Sequence, residues 1–118
     1  MAVDPNNPFY RRQIAFLEAN DLDGLMTQYH DAAVLVGVDF VVTGKPAIRR
    51  HMEGYLARLG TLKLQETLAF AETDDAILFE AVVRSDLGEA TVYDAFVLRD
   101  GTVTHQFTGL IALRPSAT

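Results

Sequence analysis

The stretch Leu56-Ala-Arg-Leu-Gly-Thr-Leu-Lys-Leu-Gln-Glu-Thr-Leu-Ala-Phe-Ala-Glu-Thr73 decides the fold, because the hydrophobic period changes inside it. Up to Gly60, the residues Ile48, Met52, Tyr55, Leu56 and Leu59 recur at helical spacing and form one apolar stripe, with Pro46 opening the helix and Gly60 stopping it. Beyond Gly60 apolar residues alternate with polar ones, as they do on a half-buried strand. Strands are expected over 61–73, 76–85, 89–99 and 102–113, separated by the short breaks Thr73-Asp-Asp, Ser85-Asp-Leu-Gly and Arg99-Asp-Gly. Breaks this short pair successive strands antiparallel, as a meander.

Upstream of the stretch the pattern is helical again. Asn7-Pro8 offers an N-cap and a proline at the first helical position, and Phe9, Tyr10, Ile14, Phe16 and Leu17 share one side of a helix ending near Asn20. Asp21 caps a second, shorter helix whose Leu22, Leu25, Met26 and Tyr29 share a face. The β-branched run from Val34 to Thr43 is expected to reverse around Val38 to Phe40 as a hairpin. Three helices followed by a long antiparallel sheet make an α+β fold with the helices on one face.

With 118 residues the chain is expected to be one domain spanning 1–118, with irregular tails at 1–6 and 115–118. Its formal net charge of -6 opposes phosphate backbones and anionic headgroups, and no basic patch offsets it, so neither nucleic acid nor membrane is an expected partner. The start Met1-Ala-Val-Asp-Pro has no charged and apolar leader pattern, which suggests a cytoplasmic protein. Without cysteine there is no thiolate chemistry, and the three histidines fall at no ligand spacing, so no metal is expected. Glycine-rich nucleotide loops and nucleophile elbows are absent, and no cofactor is expected.

Polar residues that the period places among apolar ones point to a site, since an unpaired buried polar group costs about 1–3 kcal/mol. Gln13 lies in the apolar arc of the first helix beside Phe9 and Phe16. Asp94 shares a strand face with Val92 and Phe96, Glu66 shares one with Leu64 and Phe70, and Gln106 and Thr108 share one with Leu110. For Glu66 a bulge would reverse the register and turn it outward. A sheet curved around the helices would bring these groups to one mostly apolar pocket, with Tyr29, Met52, Tyr55 and Phe79 completing its lining. His51, flanking the stripe of the third helix, is an acid/base candidate because a partly buried imidazole titrates near neutrality. Tyr93, Val97, Phe107 and Ile111 suit a homodimer surface, or else a face covered by the chain's own termini.

The segment Asn20-Asp-Leu-Asp-Gly-Leu-Met-Thr-Gln-Tyr-His-Asp-Ala-Ala-Val34, followed by Gly44-Lys-Pro-Ala-Ile48, resembles the nuclear transport factor 2-like superfamily. Within it the chain is most similar to the SnoaL-like and ketosteroid isomerase-like group. The resemblance implies a cone-shaped curved sheet, mixed in direction, around three helices, a deep apolar pocket and a homodimer through the sheet. Ketosteroid isomerase-like enzymes use a carboxylate base with a tyrosine and a protonated aspartic acid as oxyanion hole. By that resemblance Asp94 falls at the protonated acid, Gln13 at the tyrosine and Gly37 at the base. Asp39 is then a replacement base or a plain hairpin-turn residue. Two functions follow. One is an isomerase, cyclase or lyase acting on a small apolar ketone or polyketide-like molecule; the other is a ligand-binding or dimerisation module of the same fold.

Overall fold

A computed structural model describes residues 3–116. Its elements run α1 (Pro8–Glu18), α2 (Leu22–Met26), β1 (Tyr29–Val36), β2 (Val41–Thr43), α3 (Lys45–Leu59), β3 (Leu62–Glu72), β4 (Ala76–Ser85), β5 (Gly88–Arg99) and β6 (Thr102–Pro115). The six strands form one open sheet in the order β2-β1-β6-β5-β4-β3. From β3 to β6 it is the expected antiparallel meander. β1 then lies parallel to β6, and β2 folds back antiparallel to β1, which makes the sheet mixed.

Local chemistry sets the starts of α1 and α2 and the end of α3 where the pattern placed them. The Asn7 side chain accepts from the Tyr10 N–H at the start of α1, and Asp21 does the same for Gly24 in α2. Gly60 closes α3 at φ +70°, a conformation glycine adopts without steric cost.

Three expectations are corrected. Tyr29 does not extend the second helix: α2 ends at Met26, and Tyr29 opens β1 five positions before the expected start at Val34, its backbone drawn into register with Val103 of β6. A parallel partner so distant in sequence leaves no local signal. The segment before α1 is not wholly irregular, because the Val3 N–H donates to the Thr67 carbonyl at 2.8 Å. At the other end Pro115 belongs to β6; residues 1, 2, 117 and 118 of the expected tails lie outside the described residues.

The core fills the space between the helices and one sheet face. Phe9 meets Phe96 edge-on at 5.1 Å between ring centroids, and Tyr10 lies 4.7 Å from Phe79 and 5.2 Å from Phe70. Leu25, Tyr29, Ala33, Leu35, Ile48, Met52, Ile77 and Val103 complete it, all buried. Burying each large apolar side chain stabilises the fold by about 1.5–3 kcal/mol. These rings fasten α1 across β3, β4 and β5, and so fix the helix over Asp94.

Candidate functional site

Directly opposed residues on neighbouring antiparallel strands share a face. Asp94 of β5 stands opposite Phe79 of β4 and Thr108 of β6, and Phe96 stands opposite Gln106, so all five belong to the face that carries the core. Leu35 of β1 adds the next position beside Gln106. Asp94 is thus a carboxylate on the core-bearing face of the sheet, beside Phe79 and Phe96.

A chain of side chains leads to it. Gln106 Nε2 donates to Asp94 Oδ1 at 3.0 Å, and the Tyr29 hydroxyl donates to Gln106 Oε1. Gln13 Nε2 donates to the Tyr29 oxygen at 3.1 Å, and Gln28 Nε2 donates to Gln13 Oε1 at 3.2 Å. Finally Arg12 Nε donates to Gln28 Oε1 at 2.9 Å, where α1 meets solvent. Gln13, Gln28, Tyr29 and Gln106 are all buried, and every polar side-chain atom buried among the described residues has a partner.

Burial pushes the Asp94 carboxyl up from its ordinary 3.8 to about 6, because desolvation disfavours the charged form; hydrogen bonds from Gln106 and Thr108 oppose the rise. A carboxyl with that value is ionised by about ten to one at pH 7. Unlike the wholly protonated acid that the resemblance implies, Asp94 therefore spans both states near neutrality. Its charge in turn helps burial hold the hydroxyls of Tyr10, Tyr29 and Tyr55 protonated.

The remaining expected residues divide. Phe9, Phe79, Phe96 and Met52 are buried in the same core, and Tyr55 on α3 is half-buried with the Arg58 guanidinium 5.8 Å from its ring. Phe16 sets its ring over Gly24 of α2. Leu110 lies opposite Val92 but is 60% exposed, at the open end of the face. Glu66 is turned away, because register shifts between Leu64 and Glu66 and between Thr67 and Ala69 reverse the alternation. Thr67 takes the inward place, opposite buried Ala81, and its hydroxyl bonds that of Tyr10 at 2.7 Å.

Asp39 is exposed in the turn between β1 and β2. His51 stacks on Phe40 at 4.8 Å, and burial together with Arg58 lowers its pKa, so it is neutral at pH 7. Among the described residues neither makes a side-chain hydrogen bond to Asp94 or to its chain. The base position implied by the resemblance is occupied otherwise: the Phe40 ring lies against Gly37, where any Cβ would collide with it. Arg12 and Gln28 are the members that the sequence reading missed. Gln28 sits in the connection between α2 and β1, where no periodicity marks a side chain as inward.

A groove of about 420 Å³ lies between the segment at Val3, α1 and β3, lined by Tyr10, Arg11, Ile14, Glu18, Glu66 and Thr67 among others. Asp94 is not part of it. Among the described residues no three His, Cys, Asp or Glu stand where they could hold a metal ion, and no helix is long and apolar enough to cross a membrane.

Residues 10–106 match the model of the SnoaL-like domain, and the chain belongs to that family. No curated protein matches it. Among solved structures it is similar to a candidate polyketide cyclase from Sinorhizobium meliloti, at 19% identity over 86% of this chain and 94% of that one, with a TM-score of 0.76. AclR, a candidate hydroxylase from Streptomyces galilaeus, superposes with a TM-score of 0.74 at 18% identity, over 91% of this chain and 78% of that one. A Catenulispora acidiphila protein with a ketosteroid isomerase-like fold, in complex with trimethylamine, gives 0.72 at 14% identity, over 88% and 85%. At these identities the likeness is one of fold.

Proposed function

We propose that this SnoaL-like chain takes a small apolar molecule bearing a ketone or phenol against the core-bearing face of its sheet and moves a proton on it through Asp94, as a cofactor-independent isomerase, cyclase or lyase. The observation that carries this reading is the placement of a half-buried carboxylate, with a pKa of about 6, among Phe79, Phe96, Gln106 and Thr108. A base works best when its pKa lies near the working pH, and an apolar wall selects an apolar substrate. Ionised Asp94 would take a proton from carbon next to the carbonyl, leaving the pair of electrons as an enolate, and would return the proton elsewhere on the molecule. Polyketide-like substrates carry such acidic carbons, and a candidate cyclase among the structural neighbours fits that class.

The test uses a small aryl ketone in D2O, with exchange of its α-hydrogens for deuterium followed by NMR. Exchange should be faster than in buffer, rise with pH to a plateau above about 6, and vanish in Asp94→Asn. A variant that exchanges as fast as the parent would remove Asp94 from the chemistry. A second reading, a dimerisation module, draws on the opposite sheet face, where Leu78 and Phe107 are exposed. The two are compatible, and we propose a homodimer through that face in either case.

A further inference from the structure

We propose that Gln28 is a positioning residue that fixes the proton position on Asp94, by dictating the direction in which the whole chain of hydrogen bonds donates. The five bonds from Arg12 to Asp94 all point one way. Three of the four residues between the ends are glutamines, whose amides can present either oxygen or nitrogen, and the fourth is a hydroxyl, which both donates and accepts. With Asp94 protonated such a chain could run in either sense, whereas ionised Asp94, which only accepts, favours the one observed.

Gln28 removes that freedom. Its Oε1 faces Arg12 Nε at 2.9 Å, a group that only donates, and its Nε2 faces the Phe9 carbonyl oxygen at 3.2 Å, a group that only accepts. Turning the Gln28 amide over would set donor against donor and acceptor against acceptor. With Gln28 fixed, its nitrogen must serve Gln13 Oε1, so Gln13 offers its NH2 to Tyr29, Tyr29 gives its proton to Gln106, and Gln106 offers its NH2 to Asp94. Asp94 Oδ1 is therefore always an acceptor, and any proton it carries sits on Oδ2. That leaves Oδ2 as the oxygen that gains and loses the proton.

The other groups that answer to Asp94 are Tyr10 on α1, Tyr29 on β1 and Tyr55 on α3, all held neutral, with Thr108 and Gln106 bonding from β6 and apolar Phe79 on β4. On α3, Arg58 acts on Tyr55 and His51. None of these depends on the sense of the amides except Tyr29 and Gln106, which belong to the chain.

The functional meaning rests on the proposed role of Asp94, but the test reads the chain in the ligand-free protein. The Asp94 carboxyl carbon is titrated by NMR in protein labelled at aspartate, its signal identified by its loss in Asp94→Asn. In Gln28→Glu an acceptor replaces the amide donor, so Gln13 must turn to donate, the sense reverses, and Gln106 presents its oxygen to Asp94. The Asp94 midpoint should rise by about one pH unit or more, since a hydrogen bond to the charged form is exchanged for one to the neutral form. Gln65→Glu, which adds the same charge on an exposed position of β3, should leave it in place. In Gln28→Met, which adds no charge and holds no sense, the midpoint should rise by a smaller amount, and this variant decides the matter if the charged one does not fold. An unchanged midpoint in the folded variants, or an equal rise in Gln65→Glu, overturns the proposal. Loss of deuterium exchange by the ketone with the titration as expected would sink the catalytic reading and leave this one standing.

Discussion

At the scale of single residues, Asp94 costs the fold stability in proportion to its ionisation. Its folded pKa of about 6 exceeds the ordinary 3.8, so between those values the folded state binds more proton than the unfolded one and stability falls as pH rises. Below 3.8 the effect is absent, and above about 6 it is complete. Asp94→Asn should therefore gain at most about 3 kcal/mol over the parent at pH 7 and nothing at pH 3.5, by urea unfolding at both pH values. A difference independent of pH would show that Asp94 titrates alike in both states. This residue, with Gln13 and Gln106, was legible because each interrupts an apolar period with a polar group. Gln28 was not, since a side chain in a connection has no period to interrupt. The Phe40 ring against Gly37 was not legible either, since a contact admitted by a missing side chain leaves no trace in spacing.

At the scale of elements, the alternation of β3 explains why one expected residue was right in kind and wrong in position. A strict period of two puts Glu66 inward, but two bulges shift the pleat and bring Thr67 in instead. The pattern of polar and apolar residues does not locate a bulge, because it does not say which residue, here Gln65 and Leu68, is left without a partner. Thr67→Val should destabilise by about 1–3 kcal/mol by leaving the buried Tyr10 hydroxyl without its partner, while Glu66→Gln should change stability by less than about 0.5 kcal/mol. Comparable losses in chemical denaturation would mean that Tyr10 finds another partner. Element types were otherwise readable from end to end, and the one long misreading, Tyr29 as helix, arose where a strand is held by a partner on the far side of the sequence.

At the scale of the molecule, the outer sheet face presents Leu78 at 51% and Phe107 at 41% exposure, in one row across Ala95. If two copies meet there, Phe107→Glu should convert a dimer into a monomer in light scattering at micromolar concentration, with Asp94 titrating as before. A parent that is already monomeric would exclude the interface. The sheet order has a temporal meaning as well. β6 pairs with β5 on one side and with β1 on the other, and Tyr29 meets Gln106 across 77 positions of chain. As the ribosome makes the protein, helices and hairpin emerge first and the meander grows after them, and although α1 packs on β3, β4 and β5, the two parts of the sheet are not joined until β6 arrives. Contacts that close over such long loops are slow to form, and the unjoined halves keep sticky surface in the open meanwhile. The strand that completes the carboxylate's surroundings is thus also the clasp of the fold, so a nascent chain acquires its chemistry and its protection from aggregation in the same late event.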